Sequence, residues 1–153
     1  MIKLEINFNM RNLSIKTKIW NKIKNKFEEI DALFDTGAQT CAIDTNLLLN
    51  LGYDLEGTMK SYISTASDSR KTVSRIRINK IMLDETQFDS VLFNTFEVPM
   101  MSRPVIIGLN LIRQFEVNMN FKNRLITMRE NYLDETDDYY DADIFGDWRA
   151  DIL

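Results

Sequence analysis

The chain of 153 residues has no histidine and only one cysteine, Cys41. Without histidine, Ser-His-Asp catalysis, Cys-His catalysis and histidine-bound metal chemistry are excluded within the chain. One cysteine forms no internal disulfide, which fits a reducing compartment. With no imidazole to take its proton, Cys41 reads as a small core residue, not a nucleophile. No apolar run reaches the length of a membrane span, and the N-terminus lacks a signal-peptide pattern. Together these absences lead to the expectation of a cytoplasmic protein that does not act on a membrane. Glycine is also sparse: there are five, and none lies between Gly57 and Gly108.

What is present describes one folded domain, with 44% hydrophobic and 27% charged residues. The net charge of −4 is unevenly spread: residues 130–153 carry nine acids and one base (−8), which leaves +4 on the rest. A diffuse +4 is no nucleic-acid footprint, so no nucleic-acid partner is expected. Lys16, Lys18, Lys22, Lys24 and Lys26 read as a solvated hairpin. The acidic end reads first as a solvated tail. Its Tyr132, Tyr139, Tyr140, Phe145 and Trp148 leave open a docked alternative. A calcium loop at Asp141, Asp143 and Gly146 is excluded, because Phe145 and Ile152 stand where oxygen ligands are needed. No metal and no cofactor are expected.

The most informative stretch is Ala32-Leu33-Phe34-Asp35-Thr36-Gly37-Ala38. An apolar run ends in an ionisable carboxylate, which is costly to desolvate without a purpose. Gly37 lets the backbone turn and another segment come close. Thr36 offers a hydroxyl to a neighbour. Read alone, the same letters also describe a strand ending in a surface turn with Asp35 solvated. Further on, Val105-Ile106-Ile107-Gly108-Leu109-Asn110-Leu111-Ile112 places two aliphatics before a glycine and two more on a short helix, predicted over Leu109 to Phe115.

The remaining pattern is one of short strands. Ile2 to Phe8 and Leu13 to Trp20 read as strands. A polar tip at Asn21 to Asn25 leads into Phe27 to Phe34. Thr40 to Ile43 is a buried strand, and Asp44 caps a helix from Thr45 to Leu51 that Gly52 stops. Ser61 to Lys80 is a hairpin, with Tyr62 to Ala66 and Thr72 to Ile78 around a polar turn. Ile81 to Leu83 and Phe88 to Phe93 flank a turn at Asp84-Glu85-Thr86. Val117, Met119 and Phe121 alternate as a strand, and Leu125 to Met128 closes the series after a turn at Lys122 to Arg124. The class is all-β, a closed barrel with one or two short helices.

The two motifs in this order resemble the retropepsin-like aspartic proteases, over roughly Asn12 to Met128. The resemblance implies a protease domain at 1–129, with an extra N-terminal strand at 1–10, and an acidic tail at 130–153. It implies peptide hydrolysis by a pair of aspartates, with Asp35 catalytic and with Thr36 and Gly37 supporting the pair. The chain has one Asp-Thr-Gly only; Asp31-Ala32, Asp44-Thr45-Asn46 and Glu56-Gly57-Thr58 all lack the pattern. A homodimer is therefore implied, with one half-site per chain. An extended peptide or protein substrate would meet Gly37, Ala38 and a flap comprising Ile63, Ser64, Thr65, Ala66, Ser67 and Asp68. Two departures stand out. Gln39 and Leu109 occupy the places where viral members carry an Asp and an Arg that pair to support the dimer. The flap also lacks the viral glycines. The alternative from another class is a non-catalytic peptide-binding or assembly module on the same barrel.

Overall fold

Alternating burial builds most of the strands. In β2 (Ser14–Asn21) the side chains of Ile15, Thr17 and Ile19 are buried, while Lys16 and Lys18 face solvent. The strand returns through a tight turn into β3 (Lys26–Phe34), with Asn21 opposite Lys26. Asn21 makes that turn: its Oδ1 accepts from the backbone N–H of Ile23 and Lys24, and its Nδ2 donates to Glu28. The computed structural model describes residues 1–7, 13–63, 71–97 and 103–130.

β4 (Cys41–Asp44) leads into α1 (Thr45–Asn50), whose cap is Asp44, with its side chain accepting the Leu47 N–H. Gly52 follows at φ +88, the left-handed conformation that ends helices. β5 (Met59–Ile63) and β6 (Lys71–Leu83) form the upper hairpin, and β7 (Thr86–Phe96) follows β6 through Asp84-Glu85. β6 is thus one thirteen-residue strand, where the sequence pattern suggested two pieces. The pieces join because β6 pairs almost throughout with β7, from Arg75↔Asn94 to Leu83↔Thr86.

β8 (Val105–Ile107) runs parallel to β3 and antiparallel to β4, and β4 runs parallel to β7. The order β2-β3-β8-β4-β7-β6 closes on itself where Lys18 pairs with Met82 and Ile19 with Ile81. That closure makes a six-stranded barrel, and β5 is added outside β6. Ile15, Ile19, Phe34, Ile43, Ile78, Ile81, Leu83, Phe93 and Ile107 fill the core. Each fully buried side chain of this size contributes on the order of 1.5–3 kcal/mol.

A second sheet joins β1 (Ile2–Glu5), β10 (Leu125–Glu130) and β9 (Phe115–Asn120), in the order β1-β10-β9. The outward N–H of Lys3 is capped by the Asp84 carboxylate, which blunts that edge.

Helix α2 (Leu109–Ile112), which follows Gly108, and strand β9 both end earlier than the sequence pattern predicts. Phe115 instead opens β9, opposite Glu130, and meets Phe88 edge to face at 5.8 Å. Phe121 is not a strand residue: Asn120 Oδ1 accepts the Asn123 N–H and starts the turn, leaving Phe121 55% exposed. β10 includes Glu130, one residue beyond the expected domain end. Residues 8–12, 64–70, 98–102 and 131–153 lie outside the described residues.

Candidate active site

β3 delivers Asp35. Ala32 and Phe34 point into the core, and the parallel ladder to β8 pairs Phe34 with Ile107. One further bond, from Asp35 N–H to the Ile107 carbonyl at 3.0 Å, carries the ladder onto the aspartate itself. The backbone of Asp35 is therefore fixed by a fully buried neighbour. Beyond it the chain turns: Ala38 N–H donates to the Asp35 carbonyl at 3.3 Å.

Within that turn Asp35 Oδ1 accepts the Gly37 N–H at 2.8 Å. The carboxylate is half-buried, and Thr36 and Gly37 are exposed beside it. A Cβ on Gly37 would stand 3.1 Å from Asp35 Oδ1. Gly37 is not among the residues of positive φ, so it serves by its closeness to the carboxylate and not by a left-handed turn. An aspartate held this way by a main-chain donor at one oxygen has the other to offer to a substrate or a second carboxyl group.

Behind the turn, Gly108 crosses the segment 38–41. A Cβ there would lie 2.7 Å from the Thr40 carbonyl carbon, 2.8 Å from its oxygen and 2.9 Å from the Ala38 oxygen. Leu109 N–H donates to the Ala38 carbonyl at 2.8 Å, and Asn110 N–H to the Gln39 carbonyl at 3.0 Å. The Ala38 carbonyl is thus engaged within the chain. Gly108 N–H donates to Cys41 Sγ at 3.3 Å. Burial pushes the Cys41 thiol up to about 12, against the opposing pull of that N–H. Cys41 is accordingly a protonated core residue at neutral pH.

Asn110 is a residue that sequence reasoning missed. It is nearly fully buried, its Oδ1 accepts the Cys41 N–H at 2.8 Å, and its Nδ2 donates to the Leu92 carbonyl at 3.0 Å. An amide inside the apolar run Val105 to Ile112 was the available signal, because a buried amide demands partners. Arg103 was missed as well; it is buried, and its Nε donates to Ser14 Oγ.

Of the expected flap, the backbone of Ile63 is at the end of β5, opposite Lys71. Ser64, Thr65, Ala66, Ser67 and Asp68 lie outside the described residues. Among the described residues no three His, Cys, Asp or Glu side chains converge as metal ligands would. Among them also, no helix is long and apolar enough to cross a membrane.

A carboxylate on a braced turn, crossed from behind by a glycine, on a closed six-stranded barrel, defines the retropepsin-like class. A family model described as "gag-polyprotein putative aspartyl protease" matches residues 21–114, more than half of the chain. The chain belongs to this retropepsin-like aspartic protease family. No curated protein matches it significantly. Among solved structures it is similar to a retropepsin-like aspartic protease from Rickettsia conorii, with a TM-score of 0.58 and 17% identity over 83% of this chain and 88% of that one. It is also similar to the retroviral protease-like domain of Ddi1 from Leishmania major, with a TM-score of 0.52 and 17% identity over 90% of this chain and 98% of that one. At such identity the likeness to both structures is one of fold.

Proposed function

We propose that this protein is a homodimeric aspartic endopeptidase, in which each chain supplies Asp35 to a shared pair. The observation that carries the reading is the braced Asp35: its backbone is tied to Ile107, and its carboxylate to the Gly37 N–H at the surface. One such carboxylate per chain is half of what peptide hydrolysis by this route requires.

In the pair, one carboxylate takes a proton from water while the other donates one to the scissile carbonyl oxygen. The tetrahedral adduct then collapses, the C–N bond breaks, and the amine leaves with a proton. Aspartic proteases are the standard example of two carboxylates that share one proton because both cannot ionise at close range, and the same physics applies to a pair of Asp35 side chains. Thr36 of each chain supports the pair across the two-fold axis. Gly37, Ala38 and the flap from Ile63 to Asp68 bind an extended peptide, with main-chain bonds giving affinity and side-chain pockets specificity.

On this reading the protease domain is residues 1–129 and residues 130–153 form an acidic tail, with the last residue of β10, Glu130, at their junction. The buried, unpaired Cys41 favours a reducing compartment, which supports a cytoplasmic protein. The alternative is a non-catalytic peptide-binding or assembly module on the same barrel; Gln39 and Leu109, where an interchain ion pair would otherwise be sought, weaken the dimer interface more than the catalytic assignment. Purified protein and Asp35→Asn, incubated with an unstructured protein substrate, separate the two. Cleavage by the first and not by the second supports the enzyme. Binding without cleavage by either supports the module.

A further inference from the structure

We propose that Asn110 is a positioning residue for Asp35, acting through the chain that leaves the Asp-Thr-Gly turn. This rests on the reading of Asp35 as one of a catalytic pair.

Two carboxylates from two chains share a proton only if each stands at a fixed distance from the two-fold axis. Asp35 is anchored on its N-terminal side by the ladder to Ile107. Its C-terminal side needs an anchor too, because Thr36 and Gly37 are exposed. That anchor is the segment 38–41, and the Asn110 residue holds it at two points. Its backbone N–H donates to the Gln39 carbonyl, and its Oδ1 accepts the Cys41 N–H. The other end of the same amide, Nδ2, donates to the Leu92 carbonyl on β7. One side chain thereby ties the exit of the turn to a neighbouring strand of the barrel.

Gly108 packs directly against the backbone of Ala38 and Thr40. The Asn110 amide bonds the same segment at the Cys41 N–H and β7 at the Leu92 carbonyl. Without the amide, the Cys41 N–H is left buried and unpaired, which costs on the order of a lost hydrogen bond and favours an opened segment. A displacement of about 1 Å at a reacting group lowers a rate by roughly 100-fold.

Asn110→Ala tests this with two readouts. The first is the pH profile of cleavage. With the pair held close, the two limbs of the bell lie far apart, because the carboxylates titrate as a coupled unit. In the variant the turnover falls by about 100-fold and the limbs move toward each other. A variant that is merely less folded loses amplitude and keeps the limbs where they were, and that result overturns the proposal. The second readout needs no activity: labelling of Cys41 by a thiol reagent in folded protein, with folding followed by circular dichroism. Labelling at least ten times faster than in the parent supports the tie, and an unchanged rate overturns it. If the parent cleaves nothing, the reading of Asp35 as catalytic falls and the positioning role falls with it; faster labelling then shows a purely structural tie. Should Asn110→Ala fail to fold, Asn110→Ser replaces it under the same criteria, because its shorter side chain cannot bridge the Cys41 N–H and the Leu92 carbonyl.

Discussion

Gly108 lies so close to Thr40 that a methyl group on its Cα would sit 2.7 Å from the Thr40 carbonyl carbon. The obstructing atoms are backbone, belonging to the segment that leaves the Asp35 turn, and they cannot rotate away. Gly108→Ala is therefore expected to destabilise the protein by about 2 kcal/mol or more, read from the denaturant midpoint. Gly57 is the control: its φ is +72 but nothing lies within 4 Å of an added Cβ. Gly57→Ala should cost only the roughly 1–2 kcal/mol of a left-handed backbone. Equal losses, or a larger loss at Gly57, would contradict the crossing as the reason for Gly108.

Asp44 caps α1 through Oδ2, which accepts the Leu47 N–H at 3.1 Å. Asp44→Ala should lower stability by about 1 kcal/mol. Asp44→Ser should recover most of it, because the shorter hydroxyl still reaches the orphan donor. The same denaturation experiment checks both variants.

The cysteine provides a pH-dependent test. Burial raises the Cys41 thiol to about 12 in the folded protein, from an ordinary value near 9. Below about 9 the thiol is protonated in both states and contributes no pH dependence. Between there and about 12 the unfolded chain loses the proton and the folded one keeps it, so stability falls as pH rises. The slope for one proton is about 1.4 kcal/mol per pH unit. Urea unfolding from pH 8 to 11, compared with Cys41→Ala, isolates this group from the lysines and tyrosines. A parallel pH dependence in the two proteins would mean that the thiol titrates normally.

The geometry of the Asp35 turn was legible in the sequence because its contacts are local. Asp35, Thr36 and Gly37 are adjacent, and the Gly37 N–H reaches a carboxylate two residues away. The Asp44 cap and the Gly52 stop also act within one turn of helix. The barrel class followed from repeated short alternating runs. The parts that were not legible depend on partners far away in the chain. Asn110 meets residues 69 and 18 positions away, and Arg103 meets Ser14 from 89 away. The end of α2 was misplaced for a related reason. Val117 and Met119 packed against the core, together with buried Phe115, belong to a strand whose partner is β10, and that pairing overrides the local continuity of the helix. Phe121 continued the alternation on paper, but the turn held by Asn120 ended the strand first.

Cleavage should be greatest at acid to mildly acid pH. Two carboxylates brought together do not both ionise cheaply, so the working pair holds one proton. Activity should fall when that proton is lost and again when a second is gained. A rate that keeps rising through alkaline pH would require different chemistry.

A single active site shared between two chains, each giving Asp35, is tested most directly by mixing. Parent protein is combined with increasing Asp35→Asn at constant total concentration, left to exchange subunits, and assayed for cleavage. If the pair spans the dimer, every mixed dimer is dead. Activity then follows the square of the parent fraction, so half parent leaves about one quarter of the rate, by mass action for random pairing. If each chain works alone, half parent leaves one half, and the straight line would contradict the shared site.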